Sequence, residues 1–232
     1  MKALITGASR GLGLAVAEAL AQEGLDLVLW SKNAELLQQV AARLSAAHSV
    51  RVDYRSVDLV DSTAIDKACQ DYLESGEPLD LLVNNAGNFL PGAMMQESDT
   101  QLDDLWTVNV KAAYTLTKRF WTILAQSPRA HVVNMCSTAS RMGYPAGGSY
   151  AVTKHALLGF SESLRLEGRP VGIRVSSVLP GAALTDSWAG VDLPPERFMK
   201  ASDVGAVVRQ IWQINASAVI EEVTLRPLLG DI

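Results

Sequence analysis

Short apolar runs alternate with helical patterns along nearly the whole chain. Seven runs predict β-strands, at 3–6, 25–30, 50–57, 79–85, 130–137, 172–179 and 222–226. Six helical patterns lie near 11–23, 33–47, 61–75, 100–126, 150–168 and 203–215. Strands that alternate with helices of this length predict repeated strand–helix–strand units and a mostly parallel sheet. The runs at 79–85 and 130–137 are almost continuously apolar, which is typical of strands covered on both faces.

Length and composition fit one α/β domain. The chain has 232 residues, 48% hydrophobic and 19% charged, which is ordinary for a globular protein with a substantial core. It contains no Ser/Pro-rich linker and no internal repeat. We therefore expect a single domain over 1–232, with an irregular insertion at about 182–202. An irregular segment of this length usually has a function, often as a lid over a site.

Charge and residue usage argue against several function classes. The net charge of −5 does not suit a nucleic-acid-binding surface. Cys69 and Cys136 form no CxxC pair, and the three histidines lack metal-binding spacing, so no disulfide framework or metal site is expected. No apolar run approaches the roughly 20 residues of a membrane span. The glycine turn already begins at Gly7, which leaves no room for a signal peptide, so we expect a cytoplasmic protein without membrane or nucleic-acid partners.

A glycine turn joins the first predicted strand to the first helix. In TGASRGLG, Gly7, Gly11 and Gly13 have the spacing TGxxxGxG, which differs from the GxGxxG of the standard dinucleotide fingerprint. Glycines still permit a close approach to a pyrophosphate, and the following helix offers free N–H groups and a positive dipole end. Three glycines alone would also fit an ordinary tight turn. Their place after the first strand of a doubly wound series favours a dinucleotide site.

The end of the second strand indicates which dinucleotide is bound. An NAD site commonly carries an acidic residue there, for the ribose hydroxyls. This chain has Ser31 and Lys32 at that point, and Arg10 in the glycine turn. Each cation alone would also fit a solvated surface charge. Two cations without a carboxylate favour the 2′-phosphate of NADP(H), with NAD(H) as the less favoured alternative.

Tyr150 and Lys154 are four residues apart at the start of a predicted helix, and Ser137 ends the preceding strand. Residues at that spacing share a helix face. Since a tyrosine ordinarily titrates near a pKa of about 10, a neighbouring ammonium would lower its pKa towards a range useful for proton transfer. Ser137 would lie at the carboxyl edge of the sheet, where its hydroxyl could hold a substrate carbonyl oxygen. Alone, YxxxK is common by chance and usually marks a solvated helix face.

Asn109 lies inside the predicted helix 100–126, where asparagine is a poor interior residue unless its side chain has a polar task. One such task is a water-mediated proton path through a locally disturbed helix. The alternative is that Asn109 caps a short helix that ends before residue 111. The sequence leaves both open.

Taken in order, these pieces resemble those of the classical short-chain dehydrogenases/reductases, over nearly the whole chain. The matching pieces are TGASRGLG (6–13), VDL (57–59), NNAG (84–87), VNV (108–110), Ser137, YAVTK (150–154) and PGAALT (180–185). Each piece is common, but the ordered set, with thirteen positions from Ser137 to Tyr150, is very specific. The resemblance implies a doubly wound Rossmann-type α/β fold, with a seven-stranded sheet in the order 3-2-1-4-5-6-7 and helices on both faces.

The resemblance also implies a role for each matching residue. The catalytic set would be Asn109, Ser137, Tyr150 and Lys154. The cofactor-binding set would be Gly7, Ser9, Arg10, Gly11, Leu12, Gly13, Ser31, Lys32, Asp58, Leu59, Asn85, Ala86, Gly87, Tyr150, Lys154, Pro180, Gly181 and Thr185. Within that set the glycine turn would hold the pyrophosphate, Asp58 and Leu59 would meet the adenine ring, and Thr185 would bond the nicotinamide carboxamide.

The implied activity is the interconversion of a carbonyl compound and a secondary alcohol with NADP(H), with Tyr150 as general acid and base. The loops 88–99 and 182–202 are mostly apolar or neutral at their centres, which weakly favours a medium-sized, partly apolar small-molecule substrate. Loop side chains that could either line the pocket or pack are Phe89, Met94, Met95, Tyr144, Trp188, Phe198 and Met199.

Two other functions remain open. A catalytically silent NADP(H)-binding regulatory or scaffold protein is one, although such relatives usually lack the tyrosine or the lysine. An epimerase or dehydratase is the other, although such relatives generally have a larger substrate domain. The family's habit of pairing through the helices at 100–126 and 150–168 implies a homodimer or homotetramer.

Overall fold

A parallel seven-stranded sheet forms the centre of the computed structural model, which describes residues 1–188 and 190–232. The strands are β1 (Lys2–Thr6), β2 (Asp26–Ser31), β3 (Val52–Ser56), β4 (Leu81–Asn84), β5 (His131–Met135), β6 (Arg174–Pro180) and β7 (Glu222–Leu225). They lie side by side in the order β3-β2-β1-β4-β5-β6-β7. The predicted fold class and strand order are confirmed.

Helices cover both faces of this sheet. They are α1 (Gly11–Gln22), α2 (Ala34–His48), α3 (Ser62–Glu74), α4 (Gln101–Trp106), α5 (Ala112–Leu124), α6 (Gly148–Gly168) and α7 (Ala201–Gln213). A π-helical segment, Thr107–Lys111, joins α4 to α5, so the predicted helix 100–126 is present but is not a regular α-helix throughout. The predicted helix 150–168 begins two residues earlier, at Gly148.

The two faces of the sheet have separate apolar cores. In β1, Ile5 packs with α1, α2 and α7, whereas its neighbour Leu4 packs with α3, α5 and α6. This alternation follows from the two-residue repeat of a strand. Both side chains are fully buried, and burial of each stabilises the fold by about 1.5–3 kcal/mol. Burial on both sides explains why the strands appear in the sequence as continuous apolar runs.

Polar side chains interrupt this core between β4, β5 and α6. Asn84 Nδ2 donates to Asn134 Oδ1 at 2.8 Å and to Thr117 Oγ1 at 3.1 Å. Asn134 Nδ2 in turn donates to Ser161 Oγ at 2.8 Å. All four residues are buried. Because buried polar groups need their partners, this chain of bonds holds α6 in register with the centre of the sheet.

The segment predicted as an irregular insertion is tied together at its ends. Ala183–Leu184 and Met199–Lys200 pair as two-residue parallel strands. Between them, Asp186–Trp188 and Pro195–Arg197 form single 3-10 turns. Of the helices in the described part of the chain, none is long and apolar enough to cross a membrane.

Candidate active site

A continuous cleft lies at the carboxyl edge of the sheet. It comprises a larger cavity of about 1620 Å³ and a smaller one of about 1090 Å³, both measured with their open mouths. Seven residues line both cavities: Leu12, Asn85, Gly87, Asn88, Phe89, Thr185 and Ser187. Every predicted site residue except Asn109 lines one of the two. The predicted set is therefore brought to one place, as expected for the carboxyl ends of parallel strands.

The glycine turn forms the floor of the larger cavity. Gly7 and Gly11 have φ values of +66° and +56°, in the left-handed region that favours glycine. A Cβ added to Gly13 would lie 2.2 Å from the backbone oxygen of Gly7. Asn85 holds the turn from the other side, since its Nδ2 donates to the Thr6 oxygen at 2.8 Å. The turn therefore has its shape because three of its positions lack a side chain.

The start of α1 is suited to an anion. Among the described residues, no side chain caps α1, and its first turn carries no acidic group. By contrast, Asn33 caps α2 and Asp61 caps α3. Free first-turn N–H groups at the positive end of a helix dipole bind phosphate. The glycine cradle and the uncapped helix together fit the pyrophosphate of a dinucleotide.

Both cations predicted for a 2′-phosphate are ion-paired. Lys32 Nζ lies 2.9 Å from Asp58 Oδ2, and Arg10 Nη1 lies 3.0 Å from Asp186 Oδ2. The hydrogen bond from Lys32 lowers the pKa of Asp58 below its ordinary value. The sequence predicts two cations without a carboxylate, and this is correct for the end of β2. In the folded site it is wrong, because Asp58 and Asp186 bring carboxylates from other segments. Pairs this exposed are worth at most about 1 kcal/mol, so a phosphate can compete for both cations.

Ser31 also contributes to this end of the cavity. Its hydroxyl lies 2.9 Å from that of Ser9 in the glycine turn. The pair joins the end of β2 to the loop before α1, at the position where an acidic residue would meet the ribose of NAD. Two hydroxyls at this point can donate to an anion.

Ser137, Tyr150 and Lys154 converge on the smaller cavity. Ser137 follows β5 and is held by a reciprocal cap, in which its hydroxyl accepts from Ala139 N at 3.1 Å and its own N–H donates to the Ser140 hydroxyl at 3.2 Å. Tyr150 lies in the first turn of α6. Lys154 is one turn later, and its ammonium donates to the backbone oxygen of Met135 at 2.8 Å.

Burial controls the ionisation of this group. It raises the pKa of Tyr150 to about 12, against a smaller lowering by Ser137. Burial also lowers the pKa of Lys154. The expectation that Lys154 lowers the pKa of Tyr150 is wrong for this structure, because desolvation of the phenol dominates and the ammonium is directed at Met135. Tyr150 is therefore a phenol that holds its proton at neutral pH.

Asn109 lies in the π-helical segment and is buried. Its Oδ1 accepts from Asn88 N at 2.8 Å, and its Nδ2 donates to the Asn88 oxygen at 3.1 Å and to Thr153 Oγ1 at 3.1 Å. The helix continues past residue 111 as α5, so the alternative of a cap on a short helix is wrong, and the expected local disturbance is present. Asn109 links the loop after β4 to the residue before Lys154.

Aromatic rings form one wall of the smaller cavity. The Phe89 ring meets Tyr150 edge-to-face at a centroid distance of 4.9 Å and lies 5.6 Å from Trp188. Trp188 in turn lies 5.4 Å from Phe198. Of the loop side chains named from the sequence, three line the cavity and the others do not: Phe89, Tyr144 and Trp188 line it, Met94 and Met95 are exposed, and Phe198 and Met199 are buried.

Sequence reasoning missed several lining residues. Asn88 follows the NNAG piece directly, so its position was the one available signal. Met142 and Asp231 also line the smaller cavity, and Asp231 pairs with Arg226. Nothing in the sequence near Asp231 places it beside Gly181, because that approach depends on the tertiary path of the chain after β7.

Comparisons with known proteins agree with this geometry. The sequence model of the short chain dehydrogenase family matches residues 1–194. The sepiapterin reductase of Chlorobaculum tepidum is 29% identical over 237 aligned positions, which cover 99% of this chain and 97% of that one.

Two solved structures have similar folds. An alcohol dehydrogenase from the archaeon Thermococcus sibiricus, complexed with 5-hydroxy-NADP, is 27% identical with a TM-score of 0.93, covering 100% of this chain and 98% of that one. A metagenomic short-chain oxidoreductase in complex with NADP is 30% identical with a TM-score of 0.86, covering 99% and 98%.

Proposed function

The chain belongs to the short-chain dehydrogenase family of oxidoreductases, and we propose that it uses NADP(H) to interconvert a carbonyl compound and a secondary alcohol. One observation carries the proposal: Ser137, Tyr150 and Lys154 line a cavity that continues directly into the cavity floored by the glycine turn. A proton donor thereby faces the same space as a pyrophosphate cradle. We take residues 1–232 as one domain, with the segment 182–202 as the lid over this space.

The larger cavity would hold the cofactor. Gly7 and the start of α1 would receive the pyrophosphate, and Asp58 and Leu59 would lie at the adenine. When bound, NADPH would supply the hydride for the carbonyl carbon. At the other end, Lys154 would bond the nicotinamide ribose and Thr185 the carboxamide. The remaining predicted cofactor residues line the same space.

Tyr150 would move the proton. In the reducing direction its phenol would donate to the substrate oxygen, and the raised pKa keeps that proton available at neutral pH. The Ser137 hydroxyl, fixed by its cap, would hold the same oxygen. In the oxidising direction Tyr150 would have to accept a proton as a phenolate. A raised pKa makes the phenolate a stronger base, but it also makes the phenolate scarce at neutral pH. Asn109 would support the return of a proton from solvent through the widened turn it occupies.

The cofactor preference rests on the end of β2. Ser31 and Lys32 stand where an acidic residue would select NAD, and Arg10 lies across the same cavity. Two solved relatives carry NADP or a derivative of it. We therefore propose NADP(H) over NAD(H).

The substrate would be a medium-sized, partly apolar carbonyl compound. Phe89, Trp188 and Met142 are large apolar side chains in the smaller cavity's wall, and Lys154 and Asp231 are its charged lining residues among those described. Self-association through α4–α5 and α6 would cover Trp106, Tyr114 and Val152, which are more than 40% exposed. We propose a homodimer or homotetramer on that basis.

A panel of aldehydes and ketones tests the proposal, with NADPH and NADH absorbance followed in parallel. We expect oxidation of NADPH with at least one carbonyl class, and roughly 10-fold or greater preference over NADH, as an ion pair to a phosphate would provide. NADPH binding without oxidation across the panel would favour the silent binding protein instead. A preference for NADH would overturn the cofactor assignment alone.

A further inference from the structure

Glu97 fastens the loop after β4 to the first turn of α6. The Glu97 carboxylate accepts from the Ser149 backbone N–H at 2.9 Å and also from the Ser149 hydroxyl. A backbone bond from Gly92 N to the Ala146 oxygen, 2.9 Å long, lies beside it. Both contacts bridge segments about fifty residues apart in the chain.

The turn held by these bonds has an unfavourable backbone. Ala146 has φ +60° and Gly148 has φ +39°, both in the left-handed region. An L-residue such as Ala146 adopts that region only at an energetic cost, because its Cβ crowds the neighbouring backbone oxygen. A Cβ on Gly148 would lie 1.8 Å from Glu97 Oε1, so the close approach of the carboxylate requires glycine there. The fold therefore keeps Ala146 in an unfavourable conformation, and the missing side chain of Gly148 leaves space for the Glu97 carboxylate.

The position of this contact relates it to the active site. Ser149 immediately precedes Tyr150, and the carboxylate meets the positive end of a 21-residue helix. The same loop carries Asn88, which bonds Asn109, and Phe89, which packs edge-on against Tyr150. Glu97 thus closes a ring of contacts around the first turn of α6, while it does not line the smaller cavity itself.

We infer that Glu97 is a positioning residue for Tyr150: by bonding Ser149 it sets the place of the first turn of α6, and with it the phenol, relative to the loop after β4. The inference rests on the proposed function in that Tyr150 is taken as the proton donor. A cap that served stability alone would leave the catalytic rate of the folded protein unchanged.

Three variants test this on the full-length protein. Glu97→Ala removes both bonds, Glu97→Gln keeps an oxygen that can accept from Ser149 N–H, and Glu167→Gln is a control at an exposed position far along the same helix. We expect Glu97→Ala to lower kcat roughly 10- to 100-fold, as expected for a misplaced catalytic group, with an unchanged Kd for NADPH. Glu97→Gln should recover part of the loss, and Glu167→Gln should behave as wild type.

A double variant tests the route through Ser149. If Glu97 acts by bonding Ser149, Ser149→Ala should add little to the loss of kcat in the Glu97→Ala background. A kcat for folded Glu97→Ala within about twofold of wild type would overturn the inference. A change that small is no larger than the scatter found between sites that do not interact. The inference would also be overturned if Glu97→Ala weakened NADPH binding and lowered the melting temperature along with kcat, because that pattern indicates general destabilisation.

Amide hydrogen exchange separates this inference from the proposed function. Measured without nucleotide or substrate, exchange over residues 149–153 should be faster in Glu97→Ala than in wild type and unchanged in Glu167→Gln. If the wild type reduces no carbonyl in the panel, the proposed function fails. Amide exchange would still report whether Glu97 holds the first turn of α6. Unchanged exchange in Glu97→Ala would overturn the positioning role whatever the activity.

Discussion

The Lys154 ammonium donates to the backbone oxygen of Met135 at 2.8 Å and lies 5.7 Å from the centre of the Tyr150 ring. The lysine is therefore anchored to the end of β5, beside Ser137, rather than placed directly against the phenol. The ammonium is thus directed away from the phenol, and with its raised pKa Tyr150 keeps its proton at neutral pH.

Titration of the phenol tests this relationship. Burial raises the pKa of Tyr150 to about 12, so Tyr150 should contribute no tyrosinate between about pH 7 and 10 in protein without added nucleotide. The measurement is the difference in absorbance near 295 nm between wild type and Tyr150→Phe, since the other four tyrosines cancel. A difference that develops near pH 8 would show that Lys154 lowers the pKa after all.

Removal of the Asp186 carboxylate should tighten NADPH binding. Asp186 forms an exposed ion pair with Arg10. The substitution Asp186→Asn would remove this pair, so that the Arg10 guanidinium could bind a 2′-phosphate without competition. An exposed pair of this kind is worth about 0.2–1 kcal/mol, so the Kd for NADPH should fall by up to roughly fivefold, and that for NADH much less. Fluorescence titration of both nucleotides measures this. Asp192→Asn, in the same segment and exposed, is the matched control, and equal effects of both variants would contradict the assignment of Arg10.

Gly13 should tolerate no side chain. The Cβ of Gly13→Ala would lie 2.2 Å from the Gly7 oxygen, which forces the glycine turn to shift. Overpacking of this kind costs about 1–3 kcal/mol and would also distort the cradle, so both the unfolding free energy and NADPH affinity should fall. Gly159→Ala in α6 is the control, because nothing outside its own stretch of helix backbone lies within 4 Å of its Cβ position. It should stabilise the protein by about 0.5–1 kcal/mol, as measured by urea unfolding.

His131 should make the protein acid-sensitive. Burial lowers its pKa to about 3, with Arg174 and Arg129 acting in the same direction. A group with a depressed pKa contributes its full stability above its unfolded pKa of about 6.5 and loses it as the pH falls towards the folded value. Between about pH 6 and 4, the unfolding free energy of wild type should therefore fall by up to about 1.4 kcal/mol per pH unit more than that of His131→Leu. Parallel pH profiles of the two proteins would mean that folding does not lower the pKa of His131.

The elements that the sequence predicted best are those whose residues are covered on both faces. Strands such as β4 and β5 form unbroken apolar runs, and α1 follows its glycine turn immediately, so their positions could be predicted to within a few residues. The two-residue pairing of Ala183–Leu184 with Met199–Lys200 carries no such signal, because so short a strand has no periodicity.

The site followed the same division. Ser137, Tyr150 and Lys154 could be found because strand ends and helix starts bring them to one edge of the sheet. The ion pairs of the two cofactor-site cations could not be predicted, because Asp58 reaches Lys32 and Asp186 reaches Arg10 only through tertiary structure. The burial that raises the pKa of Tyr150 likewise depends on tertiary packing. Glu97 was missed for the same reason, since its partner Ser149 lies on a distant segment.

We propose above all that Tyr150 supplies the proton to the substrate oxygen. The most direct test is NADPH-dependent carbonyl reduction by Tyr150→Phe, with the Kd for NADPH measured on the same preparation. We expect a loss of roughly 100-fold or more in kcat, the scale of general acid catalysis, with the Kd for NADPH unchanged. Turnover by folded Tyr150→Phe at the wild-type rate would contradict it.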